Sequence, residues 1–177
     1  MTPDRRGRIT VNEFFQTEVP HIYAAGDCIG FPALASTSME QGRLAANNML
    51  RPSAPGRRYP LPYGIYTIPE ISMIGKTEQE LTEAKVPYEV GIAKYDELAK
   101  GQMVGDETGM LKILFHADTL KALGVHAIGE SPTQIIHSGQ TALTLEGTIE
   151  FLRDSVFNYP TFAEAYKVAA LNGLNRP

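Results

Sequence analysis

With 177 residues and a formal net charge of −4, the chain can bury one compact core and shows no electrostatic footprint for nucleic acid or an anionic membrane. No uninterrupted apolar stretch approaches the roughly 18 residues that a membrane-spanning helix needs. The single cysteine, Cys28, rules out an intrachain disulfide and fits a reducing, cytoplasmic setting.

In chain order, the opening Met1–Asp4 has no apolar signal-sequence character. Arg8–Val11 and His21–Ala24 read as short strands. The second runs into Gly26-Asp27-Cys28, and a loop containing Gly30 and Pro32 leads to a helical pattern from about Leu34 to Leu50. A strand end, a tight turn and a helix N-terminus, with a carboxylate between them, suit a polar, partly anionic ligand. Helix-start amides donate hydrogen bonds, and the carboxylate accepts them from hydroxyls. Locally, Asp27 is first of all a turn or capping residue. Two strands and a helix bury too little apolar surface to stand alone, so residues 1–50 read as a remnant of a larger domain.

Residues 51–63, with four Pro and one Gly, have linker chemistry, and Arg57-Arg58 reads as a solvated turn. From Gly64 to Pro177 the pattern is α+β: an antiparallel sheet with helices packed on one face. The strands are Ile65–Thr67, Ile71–Gly75, Tyr88–Tyr95, Met110–His116 and Ala122–Ile128, the last two joined by a short polar connection. Three capping boxes announce helices, at Thr77 with Glu80, Ser131 with Gln134, and Thr161 with Glu164. Pro132 takes the first position of the second helix, and Gly173 reads as the stop of the last. His21, His116, His126 and His137 have no metal-ligand spacing with one another or with Cys28, so no metal site is expected. Cys28 itself reads as a small buried residue.

Three segments resemble one family. His21-Ile22-Tyr23-Ala24-Ala25-Gly26-Asp27-Cys28, running on to Leu34-Ala35-Ser36-Thr37, is similar to the second flavin-contacting segment of the pyridine nucleotide-disulfide oxidoreductases. Thr67-Ile68-Pro69-Glu70-Ile71-Ser72-Met73-Ile74-Gly75 resembles the opening of that family's dimerisation domain, and Asn158-Tyr159-Pro160-Thr161-Phe162-Ala163-Glu164-Ala165 its closing motif. The resemblance implies FAD as cofactor, NAD(P) as substrate and a homodimer formed through residues 64–177, with no metal, nucleic acid or membrane partner. It also implies that Asp27 accepts from the ribityl chain and that the backbone at Leu34 and Ala35 meets the pyrimidine edge of the flavin. A cis Tyr159-Pro160 bond is implied as well.

One departure decides between branches of the family. Its thiol-handling members carry a His before the Pro and a Glu five residues later as an acid-base pair; here those positions are Tyr159 and Glu164. A phenol, with an ordinary pKa of about 10, shuttles protons poorly at neutral pH, unlike imidazole at about 6.5. Hydride transfer between nicotinamide and flavin needs no such base. The resemblance implies transhydrogenation, hydride moving between NADPH and NAD+ through FAD, and Tyr159 favours that activity over thiol chemistry. Glu164, third in a capping box, reads as structural. No Gly-x-Gly-x-x-Gly follows any strand, so the chain reads as the last third of a flavoenzyme, catalytically silent alone. The alternatives are the C-terminal domain of a dihydrolipoamide dehydrogenase-like disulfide oxidoreductase, and a cofactor-free dimerisation module.

Overall fold

The computed structural model describes residues 2–51 and 60–175. The chain divides into two compact units, Met1–Tyr59 and Pro60–Pro177. Most of the expected linker, with Arg57 and Arg58, lies outside the described residues.

In the first unit neither expected strand forms. A strand needs a neighbour to take its donors, and here the donors go into turns. The Ile9 amide donates to the Cys28 carbonyl at 2.8 Å, and the Thr17 amide to Ile22 at 2.9 Å. The Asn12 side chain accepts from the amides of Phe14 and Gln16. Among the described residues of the unit, all that remains of sheet pairing is a single bridge between Gln16 and Tyr23. At the start of the unit Asp4 accepts from the Arg8 guanidinium at 2.7 Å, which with two backbone donors holds its carboxyl down at about 2. Helix α1, Ala35–Leu50, forms where the pattern puts it, but its buried face is largely polar: Thr37, Gln41, Ala45 and Asn48. These positions fall on one side of a 3.6-residue period. They face loop backbone rather than a sheet, as the Asn48 amide shows by donating to the Phe14 carbonyl at 3.3 Å.

The second unit is a five-stranded, wholly antiparallel sheet. Its strands are β1 Tyr63–Ile65, β2 Glu70–Gly75, β3 Tyr88–Lys94, β4 Met110–His116 and β5 Ala122–Gly129, in the order β1-β2-β5-β4-β3. The helices are α2 Glu78–Glu83, α3 Ala99–Val104, α4 Pro132–Thr144, α5 Ile149–Asp154 and α6 Ala165–Leu174. Register sets Ile74, Val125, Ile113 and Gly91 side by side across four strands. Being two-periodic, that row shares a face with Leu111 and Ala127, and all five side chains join one core with Ile136 of α4 and Tyr166, Ala169 and Ala170 of α6. Helices α4 and α6 thus cover one face. The opposite face carries Lys112 and His126, cross-strand neighbours, and α2 is tied to it by Glu78, whose carboxylate lies 2.5 Å from the Lys112 ammonium.

Of the three capping boxes, only the first forms. The Thr77 hydroxyl accepts from the Glu80 amide, and the Glu80 carboxylate from the Thr77 amide. At Ser131 the backbone is left-handed, φ 57°, and the hydroxyl caps nothing. The start of α4 is held instead by Glu70 of β2, which accepts from the Thr133 amide at 3.1 Å and from its hydroxyl. At Thr161 the hydroxyl donates to the Asn158 carbonyl at 2.6 Å, and a turn of 3-10 helix, Phe162–Glu164, opens without a side-chain cap.

Gly173 is not a stop. It lies inside α6, and a Cβ there would stand 2.6 Å from the Phe115 ring and 3.1 Å from the Gly91 Cα. A Cβ on Gly91 would in turn strike the Ala169 carbonyl. The two glycines let α6 lie directly on the edge strand β3. Where it lies, Asn172 accepts from the outward-facing Ile92 amide at 3.0 Å, which removes one of the open donors of that edge.

Candidate functional site

The first unit gathers the predicted cofactor residues at one junction. Gly26 takes φ 81° and ψ −156°, a conformation open mainly to glycine, and Asp27 opens one turn of 3-10 helix, Asp27–Ile29. Asp27 is exposed, as an acceptor for a ligand hydroxyl must be. Its Oδ1 lies 3.5 Å from the Ser38 hydroxyl of α1, at the outer limit of a hydrogen bond. Helix α1 therefore begins beside this carboxylate. Leu34 stands at its N-cap in extended conformation, and a leucine side chain cannot accept from the first-turn amides, so α1 starts with no side-chain cap. There is also no acidic side chain in that first turn to neutralise the positive end of the helix dipole. Ala35, the first helical residue, is exposed. The exposed Asp27 and the start of α1, which lacks a side-chain cap, thus belong to one junction.

Two residues that sequence reasoning missed hold this junction together. Gln41, buried, accepts from the Gly26 amide at 2.7 Å. Ser38 walls off the Gly26 Cα, where a Cβ would meet its Oγ at 3.2 Å. Their spacing of three on one helix face was the available signal, but polar residues in mid-helix read as solvent-facing. Cys28 corrects another expectation: it is exposed, not buried, with its thiol donating to the Ala25 carbonyl at 3.2 Å. The turn points it away from the unit because Gly26 takes the interior position.

In the second unit Tyr159 precedes a cis peptide bond to Pro160 and is 71% exposed. Glu164 does not complete a capping box, since Thr161 has turned its hydroxyl elsewhere. Its Oε2 is buried and has no hydrogen-bond partner among the described residues. The capping-box reading of Glu164 therefore fails. Nearby, Tyr95 stacks on Phe162 with ring centroids 4.5 Å apart, and burial pushes its phenol well above the ordinary range.

The histidines are dispersed. The His116 ring accepts from the amides of Asp118 and Thr119 and closes the β4–β5 turn, while His137 pairs with Gln140 on α4. His126 is held below its ordinary pKa, first by desolvation and then by the Lys112 charge. Among the described residues, no group of three or more His, Cys, Asp or Glu is set to hold a metal ion, and no helix is long and apolar enough to cross a membrane.

Comparison with known proteins matches residues 61–170 to the dimerisation domain of the pyridine nucleotide-disulphide oxidoreductases and residues 1–42 to a second domain of that name. A soluble pyridine nucleotide transhydrogenase of Mycobacterium bovis BCG Pasteur is 57% identical over 171 residues, covering 97% of this chain and 36% of the relative. One from an Enterobacter species is 54% identical over 180 residues, covering 99% and 39%. The chain thus spans little more than a third of the length of these relatives. Among solved structures, LpdA of Mycobacterium tuberculosis superposes with a TM-score of 0.86 at 25% identity, over 96% of this chain and 37% of that one. The HOCl-induced flavoprotein disulfide reductase RclA of Escherichia coli, at 21% identity, shares the fold with a TM-score of 0.89, over 99% and 40%.

Proposed function

Because the chain belongs to the pyridine nucleotide-disulphide oxidoreductase family, we propose that it is the C-terminal, dimer-forming part of an FAD-dependent soluble transhydrogenase that moves hydride between NADPH and NAD+. Residues 1–50 are then the end of the FAD-binding domain and residues 64–177 the dimerisation domain, joined by 51–63. The observation that carries the choice of reaction is Tyr159, exposed on the loop where a thiol-handling relative would present imidazole. Without that imidazole, nothing at this position protonates a departing thiolate at neutral pH.

The residues at the Gly26–Asp27 junction fit the ribityl and pyrimidine end of a flavin. Asp27 offers an exposed acceptor, and α1 offers uncapped amides at Leu34 and Ala35. When bound, the flavin supplies the hydride relay. Asp27 orients it by accepting from the ribityl hydroxyls. The start of α1 stabilises negative charge that gathers at the pyrimidine edge. Tyr159 and Glu164 occupy the family's acid-base positions without serving as a proton shuttle. Exposed apolar side chains of the second unit, Phe151, Val156 and Tyr159 among them, supply area for the homodimer contact. A cytoplasmic setting accords with the lone cysteine.

The test joins this chain to the upstream two thirds of a relative. The flavoenzyme so assembled should be dimeric by light scattering and should reduce an NAD+ analogue with NADPH, while leaving lipoamide and glutathione disulfides untouched. Disulfide reduction without nicotinamide exchange would replace the proposal with the dihydrolipoamide dehydrogenase-like reading. A colourless dimer that binds no FAD would favour the cofactor-free module.

A further inference from the structure

We infer that Gln41 is the positioning residue of Asp27: its side-chain carbonyl holds the Gly26 peptide, and so sets the direction in which the neighbouring carboxylate leaves the turn. The inference rests on the flavin reading of Asp27 given above.

Gln41 is 9% exposed and sits in the middle of α1, where a polar amide costs stability unless it is hydrogen-bonded. Its partner is not on the helix. The Gly26 amide, 15 residues earlier, donates to it across 2.7 Å in a buried setting. Because that amide can only donate, the atom facing it is the glutamine oxygen, which settles the orientation of the side chain.

The bond falls where the turn is otherwise free. Glycine moves between conformations more readily than any other residue, and Gly26 sits at φ 81°. The backbone hydrogen bonds of the turn act beyond it: Ile29 donates to the Gly26 carbonyl and Gly30 to the Asp27 carbonyl, each at 3.0 Å, and Ile9 grips the Cys28 carbonyl. Before it, only the Cys28 thiol, a weak donor, reaches the Ala25 carbonyl at 3.2 Å among the described residues. Among the described residues, the Gln41 bond and the weak Cys28 thiol bond hold the two ends of the Ala25–Gly26 peptide, and the Gln41 bond to its amide is the stronger of the two. Ser38 assists by bulk. Its hydroxyl is committed to the Leu34 carbonyl at 3.0 Å and stands 3.5 Å from Asp27 Oδ1, so it limits the carboxylate without orienting it.

Gln41, Ser38, Leu34 and Ala35 belong to one rigid helix. The clamp therefore registers the Asp27 acceptor against the amide donors at the start of α1. A ligand that bridges the two meets a spacing set by the helix, not by a flexible loop, which is the advantage of preorganisation.

The experiment is a double-mutant cycle read by FAD titration of the apo form of the assembled flavoenzyme, with the bound-flavin absorption spectrum recorded at each step. Gln41→Leu should weaken FAD binding roughly tenfold, the size expected for losing the aim of one charge-assisted hydrogen bond, and should shift the spectrum. In the Asp27→Ala background the same change should add less than about twofold, because the group it aims is gone. Gln41→Met, close in length to glutamine, carries the same comparison should Gln41→Leu not fold. A full tenfold loss in both backgrounds, or none in either, would overturn the positioning role while leaving the flavin reading intact. An Asp27→Ala enzyme that binds FAD like wild type would instead sink the flavin reading, and this role with it.

Discussion

Gly173 of α6 stands against Gly91 of β3, so close that a Cβ on Gly173 would lie 3.1 Å from the Gly91 Cα and 2.6 Å from the Phe115 ring. In an isolated helix Gly173→Ala would gain up to about 1 kcal/mol in propensity. Here overpacking, typically about 1–3 kcal/mol, outweighs that gain, because Phe115 is itself buried and cannot swing away. Gly173→Ala should lower stability by about 1–2 kcal/mol in urea titration. Gly91→Ala should cost more, since its obstacle is the Ala169 backbone carbonyl.

The cap of α4 comes from a different element. Glu70 of β2 accepts from the Thr133 amide, so Glu70→Ala should destabilise the second unit by about 1 kcal/mol, the ordinary worth of an N-cap. Ser131→Ala should be nearly silent, because its hydroxyl does not cap the helix. Equal effects of the two substitutions would refute this assignment of the cap.

Acid should act on the second unit through His126. Its folded pKa lies below the ordinary 6.5, chiefly through burial and then through Lys112, against the opposing pull of Glu78 and Glu80. Between the folded and unfolded values the unfolded chain binds more protons. The contribution of His126 is therefore fully present above about pH 6.5 and is lost as pH falls below it. Urea midpoints measured at pH 7.5, 6.0 and 5.0 should fall, and His126→Gln should flatten that part of the decline. A variant that declines as steeply as wild type would show another group responsible.

At Tyr159 the expected result is indifference. If hydride transfer needs no acid-base residue there, Tyr159→Phe in the assembled enzyme should keep kcat for NADPH-to-NAD+ transfer within about twofold. Tyr159→His should not confer disulfide reduction, for imidazole alone supplies no dithiol. A hundredfold fall in kcat for Tyr159→Phe would make the phenol a participant.

Much of the second unit was readable because its strands alternate and its elements are regular. Met110–His116 and Ala122 onward appear where their two-residue period puts them, and Thr77 with Glu80 caps as a local motif must. Three of the errors share one cause, a partner distant in the chain, whereas Thr161 and Cys28 were misread over a local bond three residues back. Ser131 has the spelling of a cap, but Glu70, 63 residues before Thr133, does the capping. Gly173 looks like a helix stop until Gly91 and Phe115 are set beside it. Arg8–Val11 and His21–Ala24 have strand composition, yet being a strand is a relation between segments, and here donors such as Ile9 and Ala24 go to isolated carbonyls of Cys28 and Phe15 rather than into a continuous ladder. The six-residue helices α3 and α5 are too short to show a period. As for the candidate site, Asp27, Leu34 and Ala35 came from resemblance, whereas Gln41 needed the fold, since only there does a buried amide acquire a reason.

The seal on β3 has a temporal side. Asn172 reaches back to an amide 80 residues earlier in the chain. At ribosomal rates of roughly 5–20 residues per second, that edge waits about 4–16 seconds for its cover during synthesis. For that interval a strand bearing Val90 and Ile92 is open to any other unfinished chain, including a neighbour on the same message. Slow translation of the last helix, or its loss by premature termination, should therefore show first as aggregation of nascent protein rather than as inactive enzyme.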